Sequence, residues 1–278
     1  MRLAFAAALL LAAAPAAAQS LVNVPRPGGG QTALRVIEPA KAPANRCAPT
    51  LIISRGLGAG ENALRFLSSA LAQQGYRTIV MRHLGAGRAF FQGRLVREGR
   101  LRAGVPGDAD PAQNRQRLAD LDAAHEFATK ACRPPLLALG GHAAGSTTTL
   151  IEAGAKPRFT AGHKNRFDAY VALSPQGVGR VFAAGAWAAI TRPTLVVTGT
   201  RDPWEGGSWR GRLAAFDSMP AGQKRLAVLP GATHFALGGL GNAATKNRVV
   251  ALVSEFLGQV ANKAWKASAV AGAEIREK

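Results

Sequence analysis

Six short apolar runs, separated by stretches of helical periodicity, govern what this chain can become. They are TLIIS (50–54), RTIVM (77–81), LLALG (136–140), AYVAL (169–173), TLVVT (194–198) and RLAVL (225–229). Continuous aliphatic runs of this length suit strands buried on both faces. Between them, NALRFLSSALAQQ (62–74), PAQNRQRLADLDAAHEFATKA (111–131) and NRVVALVSEFLGQVANKAW (247–265) repeat apolar residues at spacings of three and four, which gives a helix one apolar stripe. Strand and helix in alternation imply right-handed crossovers and a mostly parallel sheet with helices on both faces. The expected fold class is therefore α/β, and no internal repeat interrupts the pattern.

The rest of the chain divides around that block. Residues 1–18, MRLAFAAALLLAAAPAAA, have a basic start at Arg2, an apolar run and a small-residue exit, which reads as a cleavable secretory signal. The run ends at Pro15, short of the roughly 20 residues a membrane span needs. No later stretch is long and apolar enough to cross a bilayer, so the expected location is secreted or periplasmic. Residues 19–49 form a lead-in with the Gly- and Pro-rich VPRPGGGQ and a short strand near Ala33–Ile37. Residues 50–265 make the main domain, and 266–278 read as a flexible polar tail. The Gly- and Arg-rich segment Leu84–Pro111 is only weakly periodic and is expected to overhang the carboxyl ends of the strands.

Export gives the two cysteines a meaning, because oxidising compartments permit disulfides. Cys47 stands four residues before the run at Leu51, and Cys132 four residues before the run at Leu136. If those runs are neighbouring parallel strands, both thiols lie at one end of the sheet at matching heights, and a Cys47–Cys132 bond is expected. The alternative is two buried free thiols.

Thirty-five basic against 16 acidic residues give a formal charge of +19. The arginines dot the whole chain without interleaved aromatics or basic repeats, so they describe a generally cationic surface and no specific nucleic-acid groove.

Four short motifs sit at successive strand ends. The first is LLALGGHAAGS, in which Gly141 and Gly145 flank Ala143 at two positions either side. This is the G-x-S-x-G layout of a nucleophile elbow, whose tip sits at a strained strand-to-helix turn that tolerates only small neighbours. Alone it could equally be a Gly-rich turn or a phosphate loop. The second is ISRGLGAGEN, a Gly-rich loop able to turn a backbone N–H inward; the amides of Leu57 and Ala144 are the candidate oxyanion donors. The third, VVTGTRDPW, carries Asp202, and the fourth, LPGATHFALGG, carries His234. Singly, Asp202 could be a helix cap and His234 a loop histidine. In the order tip, acid, imidazole they make the constellation in which the acid orients the imidazole and the imidazole takes a nucleophile's proton.

With these residues in view, the chain resembles the α/β-hydrolase superfamily, and more narrowly its dienelactone-hydrolase and platelet-activating-factor-acetylhydrolase-like esterases. RGLGAG, GGHAAG, VALSPQGVG, GTRDPW and GATHF carry the resemblance over about residues 50–260. It implies an α/β-hydrolase fold, a nucleophile at position 143 with Asp202 and His234, and hydrolysis of a small-molecule ester or lactone without metal or organic cofactor. The sequence departs from the pattern twice: Arg55 stands where a His commonly precedes the loop glycine, and Ala143 replaces the Ser.

The second departure removes the acyl-enzyme. Ser146 lies three residues into the following helix and is expected to point along its flank, and His142 is expected to face another side. The chain thus reads as a serine-hydrolase-type scaffold that is inactive as written, whether Ala143 is native or introduced. The competing class is an exported binding protein that uses the same cleft for an apolar ester or anionic ligand without turnover. Only about twenty residues separate the strand at Leu173 from that at Thr194, too few for a large lid. Phe90, Phe91, Trp187, Trp204, Trp209 and Phe235 are the aromatic candidates for a substrate surface, with Trp187, Trp204 and Phe235 foremost.

Overall fold

The computed structural model describes residues 17–41, 47–59, 62–83, 109–162, 164–204 and 207–278. All of the expected leader except Ala17 and Ala18, and the aromatic pair Phe90 and Phe91, fall outside the described residues, as does nearly all of the segment from Leu84.

The chain folds as an α/β structure on one nine-stranded, mostly parallel sheet. The lead-in supplies a hairpin, β1 (Gln19–Pro25) and β2 (Gln31–Ile37), closed through Gly28, Gly29 and Gly30, all at positive φ. Then follow β3 (Thr50–Ser54), helix α1 (Arg65–Gln73), β4 (Arg77–Met81) and α2 (Pro111–Lys130). Next come β5 (Leu137–His142), α3 (Ala144–Ala153), β6 (Ala169–Leu173) and β7 (Thr194–Arg201). After β7 the chain passes a 3-10 turn at Trp209–Leu213, short α4 (Ala214–Ser218) and β8 (Lys224–Thr233). A π-helical turn at Ala236–Leu240, α5 (Ala243–Ala261) and β9 (Glu274–Glu277) complete it. Across the sheet the strand order is β1-β2-β4-β3-β5-β6-β7-β8-β9. The strands from β4 to β8 run parallel, with the antiparallel hairpin on one side and antiparallel β9 on the other.

The apolar runs are continuous because both faces of the sheet are covered. Ile52 and Leu139 pack with Leu121, Leu150 and Ile151 of α2 and α3 on one side. Leu51 and Ile53 pack with Leu67, Val249 and Phe256 of α1 and α5 on the other. Burying each such side chain contributes roughly 1.5–3 kcal/mol. Local signals set the helix starts: the Asp110 carboxylate caps α2 by accepting from the amides of Ala112 and Gln113, with Pro111 behind it.

The C-terminal stretch expected as a frayed tail instead carries β9, which pairs with β8 from Arg225↔Glu277 to Val228↔Glu274. Arg225 explains the docking. Its fully buried guanidinium bonds Glu277 at 2.6 Å, Glu255 at 3.0 Å and the Lys266 carbonyl at 2.7 Å, and lies under the Trp265 ring.

Cys47 and Cys132 are joined, with 6.1 Å between their α-carbons. The strands they precede are direct neighbours, paired Thr50↔Leu137. Among the described residues no helix is long and apolar enough to cross a membrane. The bond closes an 85-residue separation and stabilises the fold by about 4 kcal/mol, mainly by restricting the unfolded chain. Unfolded, unreduced protein should therefore titrate no free thiol, and reduction should lower the unfolding free energy in urea by about that amount.

Candidate active site

The carboxyl ends of β3, β5, β6, β7 and β8 bring Gly56, Ala143, Ser174, Asp202 and His234 to one edge of the sheet, where open α/β sheets form clefts. At its centre Ala143 joins β5 to α3 with φ 54° and ψ −118°. An L-residue in such a conformation carries strain of order 1–3 kcal/mol. Its surroundings hold it there: its N–H donates to the Leu173 carbonyl at 3.1 Å, and its own carbonyl accepts from Thr147 N at 3.1 Å and Ser146 Oγ at 2.6 Å. The flanking glycines are required by space. A Cβ on Gly141 would overlap the Gly145 backbone, and one on Gly145 would overlap the Ser54 carbonyl oxygen. Helix α3 has no side-chain cap, so its first-turn amides find no acceptor within the helix and its positive dipole end faces the tip.

Asp202 and His234 meet at the ends of β7 and β8. Oδ1 of Asp202 lies 3.0 Å from Nδ1 of His234, and Asp202 is fully buried. Ser174 Oγ and Thr198 Oγ1 donate to the other oxygen, at 2.6 and 3.0 Å. Arg212 Nε stands 2.8 Å from Oδ1. Burial alone would raise the carboxyl pKa, but the bonds and charges of His234, Arg212 and Ser174 outweigh it and hold the group below its ordinary value. The ionised carboxylate is an acceptor only, which assigns a proton to His234 Nδ1 and leaves Nε2 as the basic nitrogen.

His234 and Ala143 line one cavity of about 540 Å³, a volume suited to a small molecule. Its floor comes from the loop after β3, Gly56–Ala59, and its wall from Leu64, Phe235 and Leu240. Phe235 and Leu240 are 68% and 83% exposed, which makes the mouth apolar. Leu57 lines the cavity, and Ala144 is the first residue of α3, next to Ala143. Among the described residues no His, Cys, Asp and Glu cluster could hold a metal.

Several expectations are corrected. Trp187 is fully buried against Phe182 in the core under α3, so it lines no cleft. Trp204 packs beside the acid: its indole donates to the Val178 carbonyl and its ring lies against Arg212, outside the cavity wall. Trp209 is half-buried against the core. His142 does not face away. Its ring lies 4.7 Å from that of His234, lines the same cavity, and donates from Nε2 to the His234 carbonyl at 2.9 Å. Burial, followed by the nearby His234, lowers its pKa to about 3, so it is a neutral imidazole with Nδ1 as an acceptor. Ser146 is buried with its hydroxyl committed to Ala143, as its flank position implied. Arg55 is buried and braces its own loop through the carbonyls of Met81 and Ala59.

Sequence reasoning missed Ser174 and Arg212. Ser174 follows β6 in a left-handed conformation, φ 53°. Arg212 donates to the carbonyls of Asp202, Ser174, Pro175 and Pro203, which joins the ends of β6 and β7. Ser174 lies just after a strand and inside VALSPQGVG, where no role had been assigned to it; Arg212, in a short turn after Gly211, carried no signal.

No protein-family model matches the chain, and no curated protein matches its sequence.

Two outcomes follow for folding. Gly145→Ala should destabilise by roughly 3 kcal/mol or more in denaturant unfolding, since backbone must move to admit the methyl. Arg212→Met should cost about 3–5 kcal/mol because it removes the buried cation paired with the Asp202 carboxylate. Asp202, with its folded pKa depressed, contributes stability that is present at neutral pH and is lost as pH falls through that folded value. Arg212→Met should therefore also weaken this acid-side loss, readable in acid titrations of stability.

Proposed function

We propose that the chain is a serine-hydrolase-type scaffold for a small apolar carboxylic ester or lactone, with an α/β-hydrolase fold, in which Ala143 occupies the nucleophile's place. One observation carries this reading: a strained strand-to-helix tip shares a cavity with an imidazole whose other nitrogen is held by a buried carboxylate. A turn needing only a Gly-rich crossover has no reason to hold an alanine at φ 54° beside such a pair.

The chemistry follows from the groups present. With a hydroxyl at position 143, His234 Nε2 takes its proton as the oxygen attacks the ester carbonyl. The resulting oxyanion accepts from the amides of Leu57 and Ala144, and Asp202 stabilises the imidazolium that forms. The imidazolium then returns the proton to the leaving alcohol, and water attacks the acyl-enzyme by the same route. The cycle uses no metal or organic cofactor. In the chain as written no acyl-enzyme forms at position 143, a loss on the order of 10⁶ in kcat for such machinery. The cleft then binds an ester without turning it over, which is the second reading. The apolar mouth at Phe235 and Leu240 favours an apolar acyl or aryl group in either case.

The leader-like first eighteen residues and the disulfide fit export to an oxidising compartment, secreted or periplasmic.

Ala143→Ser tests the reading directly. Ala143 is only half-buried at the cavity, so the added hydroxyl meets solvent and the variant should unfold within about 0.5 kcal/mol of the parent. Against 4-nitrophenyl butyrate its kcat should exceed that of the written chain by at least about 10³. Absence of hydrolysis in both forms overturns the esterase reading, and equal, strong activity in both overturns the role given to position 143.

A further inference from the structure

Beneath the cleft lies a second arrangement of a serine, a histidine and an aspartate. Ser54 Oγ is 2.8 Å from His83 Nε2, and His83 Nδ1 is 2.9 Å from Asp120 Oδ2. The spacing is that of a proton relay, but Ser54 is fully buried and its oxygen already accepts from Arg117 Nη2 at 3.0 Å. Burial first, then the Arg117 charge, lowers the His83 pKa to about 4, so the imidazole is neutral and the order of donors is set: Arg117 to Ser54, Ser54 to His83, His83 to Asp120. No substrate carbonyl can approach this hydroxyl, and its use is as support.

What is supported is visible from Arg117. The same Nη2 also donates to the Arg55 carbonyl, the peptide leading into Gly56 and Leu57. Nε donates to Thr148 Oγ1 at 3.0 Å, and that hydroxyl donates to the Ala144 carbonyl at 3.2 Å. One buried guanidinium therefore grips the backbone just before the cavity floor and, through one hydroxyl, the first residue of α3. A trans peptide is planar, so a carbonyl pinned by Arg117 fixes the plane of the Arg55–Gly56 peptide, one peptide before the Leu57 amide. Nη1 is left without an acceptor among the described residues, a cost that an apolar side chain of similar reach would avoid.

We propose that Arg117 is a positioning residue that sets the distance and aim between the backbone amides of Leu57 and Ala144, acting through the Arg55 carbonyl and the Thr148 hydroxyl. The inference rests on the hydrolase reading, in which those amides receive the oxyanion. Removing one oxyanion donor costs such enzymes about 10²–10³ in kcat, and a donor turned out of line should cost part of that.

The test uses the full chain carrying Ala143→Ser, with 4-nitrophenyl butyrate as substrate. Arg117→Lys keeps the charge beside Asp120 but loses the fork. Thr148→Val removes only the second branch at nearly constant shape, and Thr148→Ser restores its hydroxyl. Arg117→Lys and Thr148→Val should each lower kcat about 10- to 100-fold with KM within about two-fold, while Thr148→Ser keeps the parent kcat. Unchanged kcat in both, or a loss carried by KM, overturns the proposal while the hydrolase reading stands. If Ala143→Ser itself hydrolyses nothing, that reading fails separately. The amide resonances of Leu57 and Ala144 in the Ala143 chain then decide the positioning role: displacement by both Arg117→Lys and Thr148→Val supports it, and unmoved resonances overturn it.

Discussion

Helix α3 lies against the end of β3 so closely that a single methyl at Gly145 would overlap the Ser54 carbonyl oxygen, and the rest of the cleft is arranged around that contact. Because the helix begins there, Ala143 must turn sharply to enter it, which brings its strained dihedrals and exposes its methyl to the cavity. Because β3 ends there, the loop from Arg55 to Ala59 can run beneath the tip as a floor. Two glycines, Gly141 and Gly145, thus do by absence what the neighbouring side chains do by bonding.

The acid and imidazole obey a different constraint, the cost of burying charge. Asp202 has no exposure, and a lone carboxylate in that place would take up a proton. It remains ionised because donors from three directions converge on it: Ser174 at the end of β6, Thr198 within β7, and Arg212 from the turn before α4. The satisfied carboxylate in turn decides which nitrogen of His234 carries the proton. Burial, bonding and tautomer form one chain of cause, and each link requires the strand ends to be in register.

The sequence made the sheet legible because each apolar run was long enough to serve two covered faces, as Leu51, Ile52 and Ile53 do by alternating between them. The meeting of Asp202 with His234, the crowding at Gly141 and Gly145 and the Cys47–Cys132 pairing were legible from spacing and strand order. β9 was not, since EIRE is short and charged, and its docking depends on Arg225, whose partners lie 30 to 52 residues away. Trp187 and Phe235 show the same limit from the other side. Both aromatics follow strands, yet one fills the core and the other the cleft mouth, because the path of the intervening chain decides the matter. His142 was misplaced because the sequence does not show that the turn after β8 brings His234 back against the end of β5.

The disulfide ties the chain just before β3 to the chain just before β5, and beyond the other end of β5 Gly145 of α3 abuts Ser54, the last residue of β3. These two strands are fastened at both extremities, and neither can slide along the other without breaking a covalent link or forcing backbone through backbone. The bottom of the cleft is consequently a stiff plate. The rim is held differently: Phe235 and Leu240 stand largely in solvent on the turn between β8 and α5. The cleft thus combines a base tied at both ends with a rim of solvent-facing apolar side chains.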